Sequence, residues 1–236
     1  MNPKKTKAVV FRPKNKKISL SSKIMIQTNE IEMYSVIKIL GIYFTESMSL
    51  SYHIDQVRLK ISKILGALYK CKDFLTTKMI IIIYNALIQS HFNYCHLVWG
   101  VGSNHRDLVI AQKKVLRILE NLPCRHTTTG LLQKHRIMDI RELYNYRLAI
   151  TYRAAIKTKN ERFLSLVKLV QSSHYYLHRV CYNWTIPRLR TNYGRQMLEF
   201  TVPSLLNATR CANIDVVYDK RGDVLEYFLN TRVQAQ

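Results

Sequence analysis

Residues 49–75 read SLSYHIDQVRLKISKILGALYKCKDFL. Ile54, Val57, Ile61, Ile64, Leu65 and Leu68 recur at intervals of three and four. That period puts them on one side of an α-helix and predicts a helix over 52–70. Ser49 or Ser51 is placed to cap its start. Arg58, Lys60 and Lys63 fall mostly on the other faces. A long amphipathic helix of this kind needs other helices to bury its apolar side, so the fold class follows from the stretch.

The helical period continues downstream. A second helix is expected over 76–90, with Thr76 near its N-cap. A third is expected over 105–121, with Leu108, Val115, Leu119 and Leu122 inward and Lys113, Lys114 and Arg117 together on the outer side. Pro123 ends it, and further helices are expected at 127–135, 139–158 and about 161–181. After Trp184 the stretch TIPRLRTNYGRQMLEFTVPSLLN holds two prolines and a glycine. It reads as irregular, with at most a short strand, before helices around 204–211 and 219–230. Upstream, β-prone runs predict strands at 6–11, 22–28 and 36–44, the last interrupted by Gly41 as at a bulge or a close backbone approach. The expected architecture is mainly α. A small, basic, β-rich segment (1–48) precedes a helical region (49–122) and a helical and irregular extension (123–236).

Composition agrees. Apolar residues are 47% of the 236, with 15 Tyr and 7 Phe, enough for a packed core. Only 7 Gly and 5 Pro disfavour an all-β fold. Lys and Arg number 37 against 15 Asp and Glu, a net charge of +22. The excess is spread along the chain: 14 bases against 4 acids over residues 1–72, 13 against 5 over 73–160, and 10 against 6 over 161–236. Such a field attracts polyanions. Nucleic acid is the first candidate; an anionic membrane surface or a ribosome gives the same charge. The longest apolar run, MIIIIYNALI at 79–88, is too short to span a bilayer. Five scattered cysteines without a CxxC pair, and no signal peptide, point to a reducing intracellular compartment, nucleus or cytoplasm.

No enzyme constellation is complete in these residues. There is no Walker A, GxSxG or GxGxxG pattern. Asp215, Asp219, Asp223 and Glu226 have helical spacing, which a solvated face explains. His174, His178, Cys181 and Cys211 are zinc-ligand types, but an aromatic, partly buried helix (HYYLHRVCYNW) is the simpler reading. No catalytic and no metal-binding residue is assigned. Basic helices with interleaved aromatics suit nucleic-acid backbones and base stacking.

Taken in order, these stretches resemble one family, the reverse transcriptases of non-LTR retrotransposons, especially the jockey-like elements of arthropods. Asn2, Lys5 and Thr6 in NPKKTKAVVF match its N-x-x-K-T segment. Leu40 and Gly41 match its LG-containing primer-grip hairpin. Tyr84, Leu87, Ile88, His91, Tyr94, Trp99 and Gly100 match its LY-x-x-LI-x-x-H-x-x-Y-x-x-x-x-WG segment. Gln112, Lys113, Lys114, Arg117 and Ile118 match its L-x-x-x-Q-K-K-x-x-R-I helix. The resemblance implies the end of a polymerase palm, a helical thumb from residue 52 onward, and a C-terminal extension. It implies that Lys5 lies near the incoming triphosphate, that Leu40 and Gly41 support the primer end, and that the thumb grips an RNA/DNA hybrid or structured RNA. The complete family enzyme uses Mg²⁺, held by an Asp-Asp box. These 236 residues contain no FADD or YADD sequence, so the chain alone is expected not to polymerise and the first half of the palm is an expected partner. The alternative is a basic helical RNA-binding or interaction module, domesticated or the product of a decayed copy.

Overall fold

The computed structural model describes residues 6–16, 24–26, 29–101, 105–171 and 183–230. They are mainly helical, with two antiparallel hairpins near the start. The first joins β1 (Met25–Ile26) to β2 (Asn29–Glu30), and the second joins β3 (Val36–Ile39) to β4 (Ile42–Thr45). Ten α-helices follow in the described residues: α1 (Ser51–Cys71), α2 (Thr77–Ile83), α3 (Ser90–Asn93), α4 (His96–Trp99), α5 (Arg106–Leu119), α6 (Leu131–Lys134), α7 (Ile140–Lys157), α8 (Glu161–Val167), α9 (Leu198–Cys211) and α10 (Arg221–Asn230). The chain divides into two compact units. One takes Met1–Cys95 and Arg106–Ala111, the other His96–His105 and Gln112–Gln236.

In the first unit α1 packs on β4 and on the segment after α2. Its buried residues are Ile54, Val57, Ile61, Leu65 and Leu68, joined by His53. The helix begins at Leu50, which makes no side-chain cap. Neither serine caps it as expected: the Ser49 and Ser51 hydroxyls bond each other at 2.5 Å, and Ser49 Oγ takes the Ser51 N–H at a long 3.4 Å. Thr76 does cap α2, accepting from Met79 N, an arrangement worth about 1 kcal/mol. The helix expected over 76–90 runs further, through a π-helical segment at Tyr84–Gln89 and into α3. The wider turn buries Tyr84, Ile88 and Phe92 together and lets Tyr84 donate to Gln89 Oε1 at 2.7 Å.

Two β expectations are corrected. Residues 6–11 form no strand. They make one parallel bridge, Ala8 to Met33, and are tacked down by Arg12, which bonds Glu46 through both backbone and side chain. The ladder stops because Val36 onward pairs with β4 instead. The expected strand over 36–44 is a hairpin, not one bulged strand. Leu40 (φ 46°) and Gly41 (φ 86°) are both left-handed, the requirement of a two-residue hairpin loop that matches strand twist. Of the strand expected at 22–28, residues 24–26 are described, and 25–26 are β1.

In the second unit α7 is the central element, touching α4, α8, α9 and α10. Asp139 caps it at 2.9 Å, and Leu143, Tyr144, Leu148, Ala149, Tyr152 and Ala155 are buried along it. Several boundaries differ from expectation. The helix at 127–135 is the single turn α6, after Gly130 in the left-handed region. The helix expected to 181 stops at Val167, where Lys168 turns left-handed; residues 172–181 lie outside the described residues. The last turn-rich stretch holds a 3₁₀ turn at Gly194–Gln196. Helix α9 then starts at Leu198, earlier than expected, with Pro203 inside its second turn. Leu122 lies beyond α5, half-buried.

Candidate nucleic-acid interface

The first unit presents its lysines in a stripe. At about 100° per residue, Lys60, Lys63, Ala67 and Lys70 share one side of α1. All four are exposed, and no carboxylate pairs with the three lysines among the described residues. Lys60 and Lys70 are about 15 Å apart along the axis. Lys70 was not singled out from the sequence, although its spacing from Lys63 carried the signal. Gly66 beside it has no neighbour within 4 Å of where a Cβ would sit. Tyr69, about 180° around the helix from Lys60, is 64% exposed, with Lys72 Nζ 5.2 Å from its ring centroid. The lysine side itself offers exposed cations beside small residues, as contact with a phosphate backbone requires.

Arg58 does not belong to that stripe. It lies about 160° around the helix from Lys60 and points to Asp55 and Asp107, at 3.8 and 3.7 Å. Neither pair is a hydrogen bond, and the Nε is buried with no hydrogen-bond partner among the described residues. Its charge is largely balanced within the protein.

The hairpin loop joins two of the segments that carry the family resemblance. Tyr94 Oη donates to Leu40 O at 2.5 Å, and its ring lies 3.3 Å from where a Gly41 Cβ would stand. Leu40 in the left-handed region costs about 1–2 kcal/mol; the Tyr94 bond offsets part of it. Leu40 is 83% exposed and Tyr94 51%, so the loop presents an apolar tip and a ring to solvent. At the strand's other face Lys38 Nζ sits 5.2 Å over Tyr43, which packs edge-on against Tyr52. His53 and His91 are held neutral-favouring, first by burial and then by the Lys60 charge that reaches both.

The cluster on α5 behaves differently. Lys114 is exposed and Lys113 half-buried. Arg117 Nε donates to His126 O at 2.9 Å and so ties down the turn after Pro123. The expectation that the three form one outward basic group is corrected for Arg117. Gln112 is buried and donates to Met138 O at 2.8 Å. Trp99 is fully buried, and a Cβ on Gly100 would meet His96 O at 2.5 Å. Tyr84, Ile88, Trp99, Gly100 and Gln112 therefore serve packing; of the matched aromatic and aliphatic residues, Leu40, Leu87 and Tyr94 face solvent.

Lys5 lies outside the described residues, as do His174, His178 and Cys181. Among the described residues no three His, Cys, Asp or Glu side chains converge on a metal-sized space. The acids at 215–226 are also not one solvated helix face. Asp215 Oδ1 accepts from Val217 N and Tyr218 N, Asp219 Oδ2 accepts from Asp215 N, and Glu226 pairs with Arg136. No described helix is long and apolar enough to cross a membrane. Protein-family models, curated proteins and solved structures were each compared with the chain, and none matches.

Proposed function

We propose that the chain is the C-terminal portion of a retroelement reverse transcriptase of the non-LTR, jockey-like kind, and that it binds template–primer nucleic acid without polymerising by itself. The observation that carries this is the bond from Tyr94 to Leu40. It joins two motif segments 54 residues apart in one unit, and the same unit bears the unpaired Lys60–Lys63–Lys70 stripe. A primer-supporting loop and a backbone-gripping helix are what such a thumb requires. The lysines act through phosphates, so they supply affinity and salt dependence rather than sequence choice. An RNA/DNA hybrid, with its wide minor groove, suits a helix that reads shape and backbone.

The test is binding of the full chain to a fluorescent 16-base-pair hybrid, against DNA duplex and single-stranded RNA of equal length. The hybrid is expected to bind at least tenfold tighter than the single strand, with no primer extension in Mg²⁺ and nucleoside triphosphates. Equal affinity for hybrid and single strand would instead favour a general RNA-binding module, a reading supported by the exposed Tyr69 and Leu40.

A further inference from the structure

The second unit carries an arginine-rich loop that the α1 stripe does not account for. Residues 162–198 hold six bases and no Asp or Glu. The next acid, Glu199, is turned to Lys168 at 3.6 Å. Within this span Arg188, Arg190 and Arg195 are exposed. None of the three makes a side-chain hydrogen bond or an ion pair with a described residue. Tyr193, between them in the chain, is 57% exposed.

The backbone around these side chains is tied down at both ends. Asn207, 1% exposed on α9, accepts from Trp184 N at 3.0 Å and donates to Trp184 O at 2.8 Å. Pro187 fixes the backbone just before Arg188. Downstream, Thr191 Oγ1 accepts from Gly194 N at 3.1 Å, and Thr191 O accepts from Arg195 N at 3.3 Å. Leu189 closes the turn from inside: its Cβ and Cδ1 lie 3.2 and 3.3 Å from where a Gly194 Cβ would stand. Leu189 is half-buried, while its chain neighbours Arg188 and Arg190 are exposed. The approach of Leu189 to Gly194 therefore sets Arg188 and Arg190 beside Tyr193 and Arg195.

We propose that this loop binds single-stranded nucleic acid, with Arg188, Arg190 and Arg195 on phosphates and the Tyr193 ring stacked on a base. Guanidinium groups fork onto phosphate oxygens and, unlike ammonium groups, also stack on planar rings. Three of them on one turn, with no acid to oppose them, suit a polyanion better than a single phosphate. The exposed ring decides which polyanion. Bases of a single strand offer their faces to an aromatic side chain, whereas those of a duplex are stacked on one another. The shared chemistry is a phosphodiester strand with open bases, RNA or DNA. The site belongs to the other unit from the α1 stripe and does not rest on the hybrid reading.

The experiment is fluorescence anisotropy of the full chain with labelled dodecauridylate and dodecathymidylate, strands that do not fold on themselves. Saturable binding is expected, weaker than to the hybrid. A preference for one strand names RNA or DNA as the ligand, and equal affinity assigns both. Replacing Arg188, Arg190 and Arg195 together by Ala should weaken binding at least tenfold with an unchanged melting temperature. It should also make the slope of log affinity against log salt shallower by up to about two, at about 0.7 per phosphate. The same charge removed at exposed Arg125, Lys157 and Lys159 should change affinity less than threefold. Tyr193→Ala should weaken binding about fivefold or more, and Tyr193→Phe should keep it. An equal loss from the two triple variants, full affinity in Tyr193→Ala, or inorganic polyphosphate of equal charge competing as well as unlabelled strand overturns the proposal. The two readings fail separately. Lys60, Lys63 and Lys70 replaced by Glu should lose the hybrid and keep the single strand; loss of both would move the single strand onto α1 and overturn the second site.

Discussion

The two basic helices of this chain spend their charges in opposite ways. On α1, Lys60, Lys63 and Lys70 stand exposed in one stripe and pair with no carboxylate among the described residues. On α5, Arg117 is committed to a backbone carbonyl and Lys113 is half-buried. In the sequence the α5 cluster looks the stronger, three bases within five residues. The difference teaches that charge density along the chain does not report charge available to a partner. What decides availability is where later segments land: the loop after Pro123 returns onto α5, while nothing described covers the outer side of α1.

The largest expected effect concerns acid, where the two regions differ through their histidines. His96, in the second unit, is buried among Trp99 and Tyr144, and neither ring nitrogen has a hydrogen-bond partner among the described residues. Burial, then the charges of His105 and Arg147, push it down to about 3. The unfolded ring takes a proton near 6.5 and the folded ring does not, so its stabilising contribution is full above 6.5 and is lost as pH falls toward 3. The slope is about 1.4 kcal/mol per pH unit for this one group. Thermal melting from pH 7.5 to 5 should show the loss, and His96→Leu should flatten it; an unchanged acid limb would remove His96 from the account.

Next in size is the stripe itself. Replacing Lys60, Lys63 and Lys70 by Glu should lower hybrid affinity by at least tenfold at about 0.1 M salt while leaving the melting temperature within a few degrees. The hairpin loop should respond to a change that touches no charge. Gly41→Val places a β-branched residue at φ 86°, with its Cβ 3.3 Å from the Tyr94 ring. It should cost about 1–3 kcal/mol of stability, read by urea unfolding. The smallest effect belongs to α5. Arg117→Ala should cost about 1 kcal/mol through the lost bond to His126 and change hybrid affinity less than threefold. A tenfold loss there with no change in stability would reverse the comparison between the helices.

The sequence made α1 and α7 legible because their burial follows a single period. Of the six apolar residues expected inward on α1, five are buried and Ile64 is half-buried. His53 was missed, since a polar ring on an apolar face carries no periodic signal. The hairpin at 36–45 was hidden by its uninterrupted β-branched run; only Gly41 marked the reversal, and a glycine in a strand fits a bulge as well. The π-helical segment at Tyr84–Gln89 left no mark at all, because a single inserted turn shifts the apolar period without breaking it. On the interface, the lysines were visible one by one, but the ion pairs of Arg58 and the carbonyl bond of Arg117 depend on packing.

The central claim is that the α1 stripe grips the phosphate backbone of a hybrid duplex. The most direct test is the salt dependence of hybrid binding by the full chain and by the Lys60, Lys63 and Lys70 triple glutamate variant, from 50 to 300 mM KCl. The account predicts a steep wild-type slope in log affinity against log salt, shallower by about two to three in the variant, since each lost phosphate contact removes about 0.9. Equal slopes for the two proteins would contradict it and move the binding surface off α1.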